Sequence, residues 1–236
     1  MVKLPPQLVL LPGLHGTGDL FRRFIDELPS GYRRSVVSYP TNLGCYADLD
    51  PVVRGVIPEI PPYVLLAESF SSPLALQIAS THPGYFCGLI LCGGFAASPI
   101  GDPMRTAFSL GAPWLFRRKL SDSAVRRFLV GSDAQGDLIE EVRNAIRQVP
   151  PQVLADRLRQ VLHCDVRSEI SKIWVPILCL RGSADRLVGE SCAKEILSQA
   201  QREESRSVTI DGPHLLLQAR PTACVDAITD FLRHAC

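Results

Sequence analysis

The chain carries no surplus of either charge: 25 Lys and Arg stand against 24 Asp and Glu, for a formal net charge of +1. Such a balance gives no global field toward nucleic acid or an anionic membrane, so neither is expected as a partner. Although 46% of the residues are hydrophobic, no uninterrupted apolar run reaches the ~18 residues that a membrane-spanning helix needs. The expectation is a packed soluble domain without a span. Internal repeats and low-complexity tracts are missing, as is any paired CxxC spacing among the cysteines at 45, 87, 92, 164, 179, 192, 224 and 236. With Cys92 and Cys179 inside apolar runs, reduced thiols in a cytoplasmic protein are the expected state. The five histidines do not cluster with Cys, Asp or Glu at metal-ligand spacing. No metal and no cofactor are therefore expected, and His163-Cys164-Asp165 reads as an ordinary surface segment. The start, Met1-Val2-Lys3-Leu4-Pro5-Pro6, lacks the basic lead and small-residue cleavage pattern of a secretory leader, and it runs into a first strand at Gln7-Leu8-Val9-Leu10-Leu11.

What is present is an alternation of patterns. Short apolar runs at Leu8–Leu11, Ser35–Tyr39, Val64–Ala67, Leu89–Cys92, Ile177–Leu180 and Val208–Ile210 are bounded by Gly, Pro or charge, as buried strands of a parallel sheet are. Between them apolar residues recur at helical spacing: Phe21, Phe24, Ile25 and Leu28; Leu74, Ile78 and Ala79; and, after Pro221, Val225, Ile228, Phe231 and Leu232. This βα alternation predicts one α/β domain, a mostly parallel sheet with helices on both faces. The alternation stops between residues 98 and 171, where helical patterns follow one another around Met104–Leu115, Ser123–Val130, Leu138–Val149 and Pro151–Val161. A helical cap over 98–171, inserted into a core made of 1–97 and 172–236, is the expected organisation. The basic runs Arg117-Arg118-Lys119 and Arg126-Arg127 lie near Asp122, Asp133, Asp137, Glu140 and Glu141. A solvated, locally compensated face is favoured there over a docking site for an anionic carrier.

The chemistry concentrates at three strand ends. In Tyr63-Val64-Leu65-Leu66-Ala67-Glu68-Ser69-Phe70-Ser71-Ser72-Pro73 an apolar run breaks into small residues and then resumes with helical spacing. That predicts a strand, a sharp turn and a helix, with the Ser69 hydroxyl raised above the sheet beside a helix N-terminus. A serine nucleophile needs a base within hydrogen-bond reach and a third group to hold the base in the right tautomer. Asp185 follows the strand ending at Leu180, and His214 follows the strand ending at Ile210. Reacting groups converge in the crevice beyond the carboxyl ends of parallel strands. Structural alternatives remain: Ser69 as a buried strand-end serine, Asp185 as a cap for a helix near Ser191, and Asp102 as a substitute acid. His82 reads as a helix-end residue before Pro83, and Glu68 as a supporting or surface group. Gly13, Gly16 and Gly18 do not give the G-x-G-x-x-G order, and no ribose-binding acid ends the next strand. Nucleotide binding is therefore not expected.

With Ser69, Asp185 and His214 in that chain order, the sequence resembles the α/β-hydrolase superfamily along essentially its whole length, and within it small bacterial carboxylesterases and thioesterases with a helical cap. The resemblance implies the α/β-hydrolase fold and a serine hydrolase that cleaves carboxylic esters through an acyl-enzyme. Acyl thioesters, or ligand binding without catalysis, are the alternatives. It assigns the oxyanion-binding N–H groups to Leu14 and Phe70. The usual G-x-S-x-G elbow is replaced by Ala67-Glu68-Ser69-Phe70-Ser71, and the usual His-Gly after the first strand by Pro12-Gly13. The expected partner is a small-molecule ester or thioester. Phe108, Leu110, Trp114, Leu115, Phe116 and Leu129 are candidate acyl-pocket walls, with helix packing as their other reading, and Trp114, Phe116 and His15 are the substrate-contact candidates; an exposed loop histidine is the favoured reading of His15.

Overall fold

Strand-forming runs and their flanking breakers set the architecture. A computed structural model describes residues 5–59, 62–81, 84–102, 104–117 and 120–236. Expectations for residues 1–4, His82, Arg118, Lys119 and the Leu110 and Leu115 side chains lie outside the described residues. Six strands, β1 (Gln7–Leu11), β2 (Arg34–Val36), β3 (Tyr63–Glu68), β4 (Phe86–Cys92), β5 (Ile177–Gly182) and β6 (Arg206–Ile210), form one sheet in the order β2-β1-β3-β4-β5-β6. Every neighbouring pair is parallel. β2 is shorter than the 35–39 run suggests. The Val37 amide still donates to Leu10, but that of Tyr39 turns to the Gly16 carbonyl at 2.8 Å, and Pro40 has no N–H to offer a ladder.

β3 is buried along its whole length because helices cover both faces. Tyr63, Leu65 and Ala67 face a core shared with α3 (Ser72–Ser80), through Leu74 and Ile78. Val64 and Leu66 face the opposite core, built with Phe21, Phe24 of α1 (Arg22–Glu27), Leu216 and Leu217 of α10 (Leu216–Ala219), and Ile228, Phe231 of α11 (Pro221–Ala235). Fully burying each such side chain contributes roughly 1.5–3 kcal/mol. α2 (Tyr46–Arg54) and α9 (Glu190–Leu197) complete the first layer, through Leu49 and Ile196.

Between β4 and β5 the described elements are helices: α4 (Met104–Arg117), α5 (Asp122–Val125), α6 (Gly136–Arg147), α7 (Pro151–His163) and α8 (Arg167–Ile170). The expected helix over 123–130 arrives in two parts, α5 and a wider helical turn at Arg126–Val130 that ends on Gly131. A third apolar cluster joins Val125, Val130, Leu138, Ile139 and Val142 to Leu20 and Leu215. The local acids are used across elements. Asp137 and Glu141 pair with Arg23 at 2.7 and 3.0 Å, Asp133 with Arg220 at 2.7 Å, and Asp122 and Glu140 with Arg143. Among the described ion pairs none uses Arg117, Arg126 or Arg127. Arg126 donates instead to the Ser132 and Ala134 carbonyls.

Not all the thiols are free. Cys87, at the start of β4, is joined by a disulfide to Cys236, just beyond α11, whereas Cys45, Cys92, Cys164, Cys179, Cys192 and Cys224 are free. This corrects the expectation of uniformly reduced cysteines, and the thiol argument for a cytoplasmic location falls with it. The partners are 149 positions apart, and only the docking of α11 along the sheet brings them within bonding reach. No described helix is long and apolar enough to cross a membrane.

Candidate active site

β3 ends at Glu68, and the chain turns through Ser69–Ser71 into α3. Ser69 takes φ +47°, the only described non-glycine residue at positive φ. A left-handed serine costs on the order of 1–3 kcal/mol and persists only where its surroundings over-determine it. Here the buried strand on one side and buried α3 on the other do so. His214 Nε2 lies 2.8 Å from Ser69 Oγ, and His214 Nδ1 lies 2.7 Å from Asp185 Oδ2. A carboxylate only accepts, so Nδ1 carries the proton and Nε2 is left to accept from the serine hydroxyl.

Asp185 follows β5 and His214 follows β6, so both stand at the carboxyl end of the sheet with Ser69. The second carboxylate oxygen of Asp185 accepts from the Leu187 and Val188 amides at 2.8 and 3.0 Å. Burial by itself would raise the Asp185 pKa, but the His214 hydrogen bond and charge, with the two amides, outweigh it and hold the acid below its ordinary 3.8. α9 starts from Gly189 without a side-chain cap, so Asp185 is not spent there. Asp102 is not brought to the site; it is exposed and paired with Arg105 at 2.9 Å.

One contributor escaped the sequence reading. β4 lies between the serine strand and the acid strand, and Gly93 follows it at φ +57°. A Cβ at Gly93 would stand 3.0 Å from His214 Cε1 and 3.5 Å from Asp185 Oδ2. The glycine clears the space in which the imidazole lies. The Gly93-Gly94 pair directly after an apolar run was the available signal.

The loop after β1 faces the elbow. Ser71 Oγ donates to the Pro12 carbonyl at 2.5 Å and accepts from the Tyr39 hydroxyl at 2.6 Å. Burial pushes the Tyr39 phenol well above its ordinary 10, which keeps it a donor. The serine in place of the usual elbow glycine thus ties the elbow to this loop. Gly16 N–H closes a turn onto the Gly13 carbonyl at 2.9 Å, and among the described residues nothing accepts from the Leu14 amide. Phe70 lies in the first helical turn, where N–H groups have no partner behind them. Its ring stacks on Tyr46 at 4.8 Å, and its carbonyl accepts from the Tyr46 hydroxyl at 2.7 Å.

His15 is buried, 6% exposed, which corrects the exposed-loop reading. Its Nδ1 accepts from the Thr17 amide at 3.1 Å, and Nε2 turns inward, 3.9 Å from Glu68 Oε2. Glu68, the residue before Ser69, is itself buried. Trp114 and Phe108 lie exposed on α4, and the Leu129 carbonyl accepts from the Leu215 amide beside His214. Phe116 lines a cavity of about 320 Å³ with Leu120, Ile146, Leu154, Arg143 and Arg147, and neither Ser69 nor His214 is on its wall.

A parallel sheet flanked by helices, with Ser69, His214 and Asp185 gathered at the strands' carboxyl ends, is the arrangement of an α/β-hydrolase. Residues 43–218 match the family described as serine aminopeptidase, S33, and the chain belongs to that family. It is 25% identical over 213 residues to the pimeloyl-[acyl-carrier protein] methyl ester esterase of Vibrio atlanticus (strain LGP32), covering 81% of each chain. The protein of the same name from Methylococcus capsulatus is 28% identical over 198 residues, covering 78% of each. Among solved structures, the enol-lactonase from Burkholderia xenovorans LB400 superposes with a TM-score of 0.79 at 18% identity, over 98% of this chain and 92% of the other. That likeness concerns the fold.

Proposed function

We propose that the protein is a cofactor-independent esterase in which Ser69 is the nucleophile, His214 the general base and Asp185 the group that orients the imidazole and stabilises its charged form. The observation that carries this reading is the unbroken hydrogen-bonded line from Ser69 Oγ through both ring nitrogens of His214 to Asp185. His214 takes the hydroxyl proton as Ser69 attacks the ester carbonyl, then returns it to the departing alcohol, leaving an acyl-enzyme. Water, deprotonated by His214, releases the acid. The Leu14 and Phe70 amides receive the oxyanion, where each such donor is worth a factor of about 10² to 10³. Residues 98–171 act as the cap, with Trp114 and Phe116 as its candidate contacts to the acyl chain. The relatives' names support a carboxylic ester as the scissile bond.

Ser69→Ala is expected to lower p-nitrophenyl ester hydrolysis by about 10³-fold or more with the fold retained. A fluorophosphonate should label the parent at Ser69 and leave the variant unlabelled. Retained turnover in the variant would exclude the assigned nucleophile, and an unlabelled, folded parent would favour ligand binding without catalysis. A carrier-bound ester or thioester is the second reading, favoured by the relatives' names, which specify an acyl-carrier-protein ester, and by the basic Arg126-Arg127 pair on the helical segment. Charge removal at Arg126 and Arg127 should then raise KM for a carrier-bound acyl ester and leave a free methyl ester unaffected.

A further inference from the structure

Among the described residues Arg157 is the largest fully buried side chain, on helix α7 and with no exposed surface. Its described hydrogen bonds all go to main-chain carbonyls. Nη1 donates to Leu14 at 3.1 Å and His15 at 3.0 Å, Nη2 to Pro40 at 3.0 Å, and Nε to Leu43 at 3.0 Å. The guanidinium carbon also lies 5.7 Å from the Tyr39 ring centre. No carboxylate is among its described ion-pair partners. Burial draws the guanidinium down to about 10, so it stays charged at neutral pH. Burying a cation without a counter-ion is costly, and neutral groups suffice to fasten a loop.

The cation lies against the loop that carries the proposed oxyanion donor. The carbonyls of residues 13–16 are all engaged: Gly13 by the Gly16 amide, Leu14 and His15 by Arg157, and Gly16 by the Tyr39 amide. In a planar trans peptide the N–H of Leu14 points opposite to the Gly13 carbonyl, which the Gly16 amide holds; Arg157 fixes the next two peptide planes, the second of which carries that Gly16 amide, and so sets the Leu14 N–H through the turn. Gly16 sits at φ +74°, and a Cβ there would collide with the guanidinium. The loop and the arginine are shaped to each other, across 143 positions of sequence.

We infer that Arg157 is a positioning residue for ester hydrolysis: from the helical segment it clamps residues 13–16 so that the Leu14 amide is pre-aimed at the developing oxyanion. The inference rests on the esterase reading above. The helical segment then completes the oxyanion site as well as covering it.

The test compares the full-length parent with Arg157→Met and Arg157→Lys. The Met variant removes charge and hydrogen bonds, whereas the Lys variant keeps the charge and most of the stem. A displaced oxyanion donor should cost about 10²-fold in kcat with KM within about threefold, and Arg157→Lys should recover part of the loss. Affinity for a trifluoromethyl ketone, whose serine adduct carries an oxyanion, should fall in step with kcat/KM. Amide hydrogen exchange over residues 12–18 should rise in both variants. An unchanged kcat and unchanged loop exchange in either folded variant would overturn the inference; should Arg157→Met fail to fold, Arg157→Lys decides it. The exchange readout does not depend on chemistry at Ser69, so retained turnover in Ser69→Ala would defeat the esterase reading while the clamp is judged separately.

Discussion

Asp185 and Ser71 show how single side chains set this site. Asp185→Asn would let the amide donate to His214 and reverse the imidazole tautomer, leaving no acceptor for the serine proton. Steady-state kinetics should show kcat reduced by about 10⁴-fold with KM little changed. The acid is held below its ordinary 3.8, so its ionised form stabilises the folded state. That contribution is complete above about pH 4 and disappears as pH falls through the lower folded-state value. Urea titrations should therefore find Asp185→Asn less stable than the parent at pH 7, with the gap closing in acid. Ser71→Ala would leave a buried Tyr39 hydroxyl and the Pro12 carbonyl without their shared partner. A loss of about 2 kcal/mol is expected, and calorimetry should show a Tm lowered by about 4–8 °C.

At the scale of elements, the site is a property of strand ends. β3, β5 and β6 each stop at the same edge of the sheet, and the loops after them carry Ser69, Asp185 and His214, the proposed catalytic groups. β4 contributes space. Gly93→Ala would place a methyl group 3.0 Å from His214 Cε1, inside ordinary van der Waals contact, and force a residue with a side chain into φ +57°. Activity should fall by about tenfold or more through a misplaced imidazole, while the denaturation midpoint drops by only about 1–2 kcal/mol equivalent. An unchanged kcat in the folded variant would show that the clearance is not needed. The strands were legible because a doubly covered parallel strand must be apolar on both faces, which leaves a short dense run in the sequence. β2 was read too long because its last residues leave the ladder to bind the loop after β1, a tertiary choice with no local signature.

Over the whole molecule, the disulfide and the helical segment tie together parts that are remote in sequence. The Cys87–Cys236 bond fastens the last helix to the amino end of β4, the end opposite Gly93 and the proposed catalytic groups. Reduction by dithiothreitol, or Cys236→Ser, should lower the unfolding free energy by about 2–4 kcal/mol. Below the melting transition kcat should be unaffected, since the bond and the site lie at opposite ends of one strand. A matching loss of activity would mean that the sheet transmits the change.

The amino-acid sequence by itself determined the order of strands and helices and pointed to the proposed trio of Ser69, Asp185 and His214, because each lies in the loop that follows an apolar run whose burial is a local necessity. Only the tertiary structure decided which polar atoms are enclosed. The inward turn of His15, the Cys87–Cys236 pairing and the seating of Arg157 on four carbonyls all depend on surfaces contributed by distant segments. Hydrophobic periodicity reports how each element meets water. It holds no record of which element will be its neighbour, and hydrogen bonds and covalent links between neighbours are settled only when the layers pack.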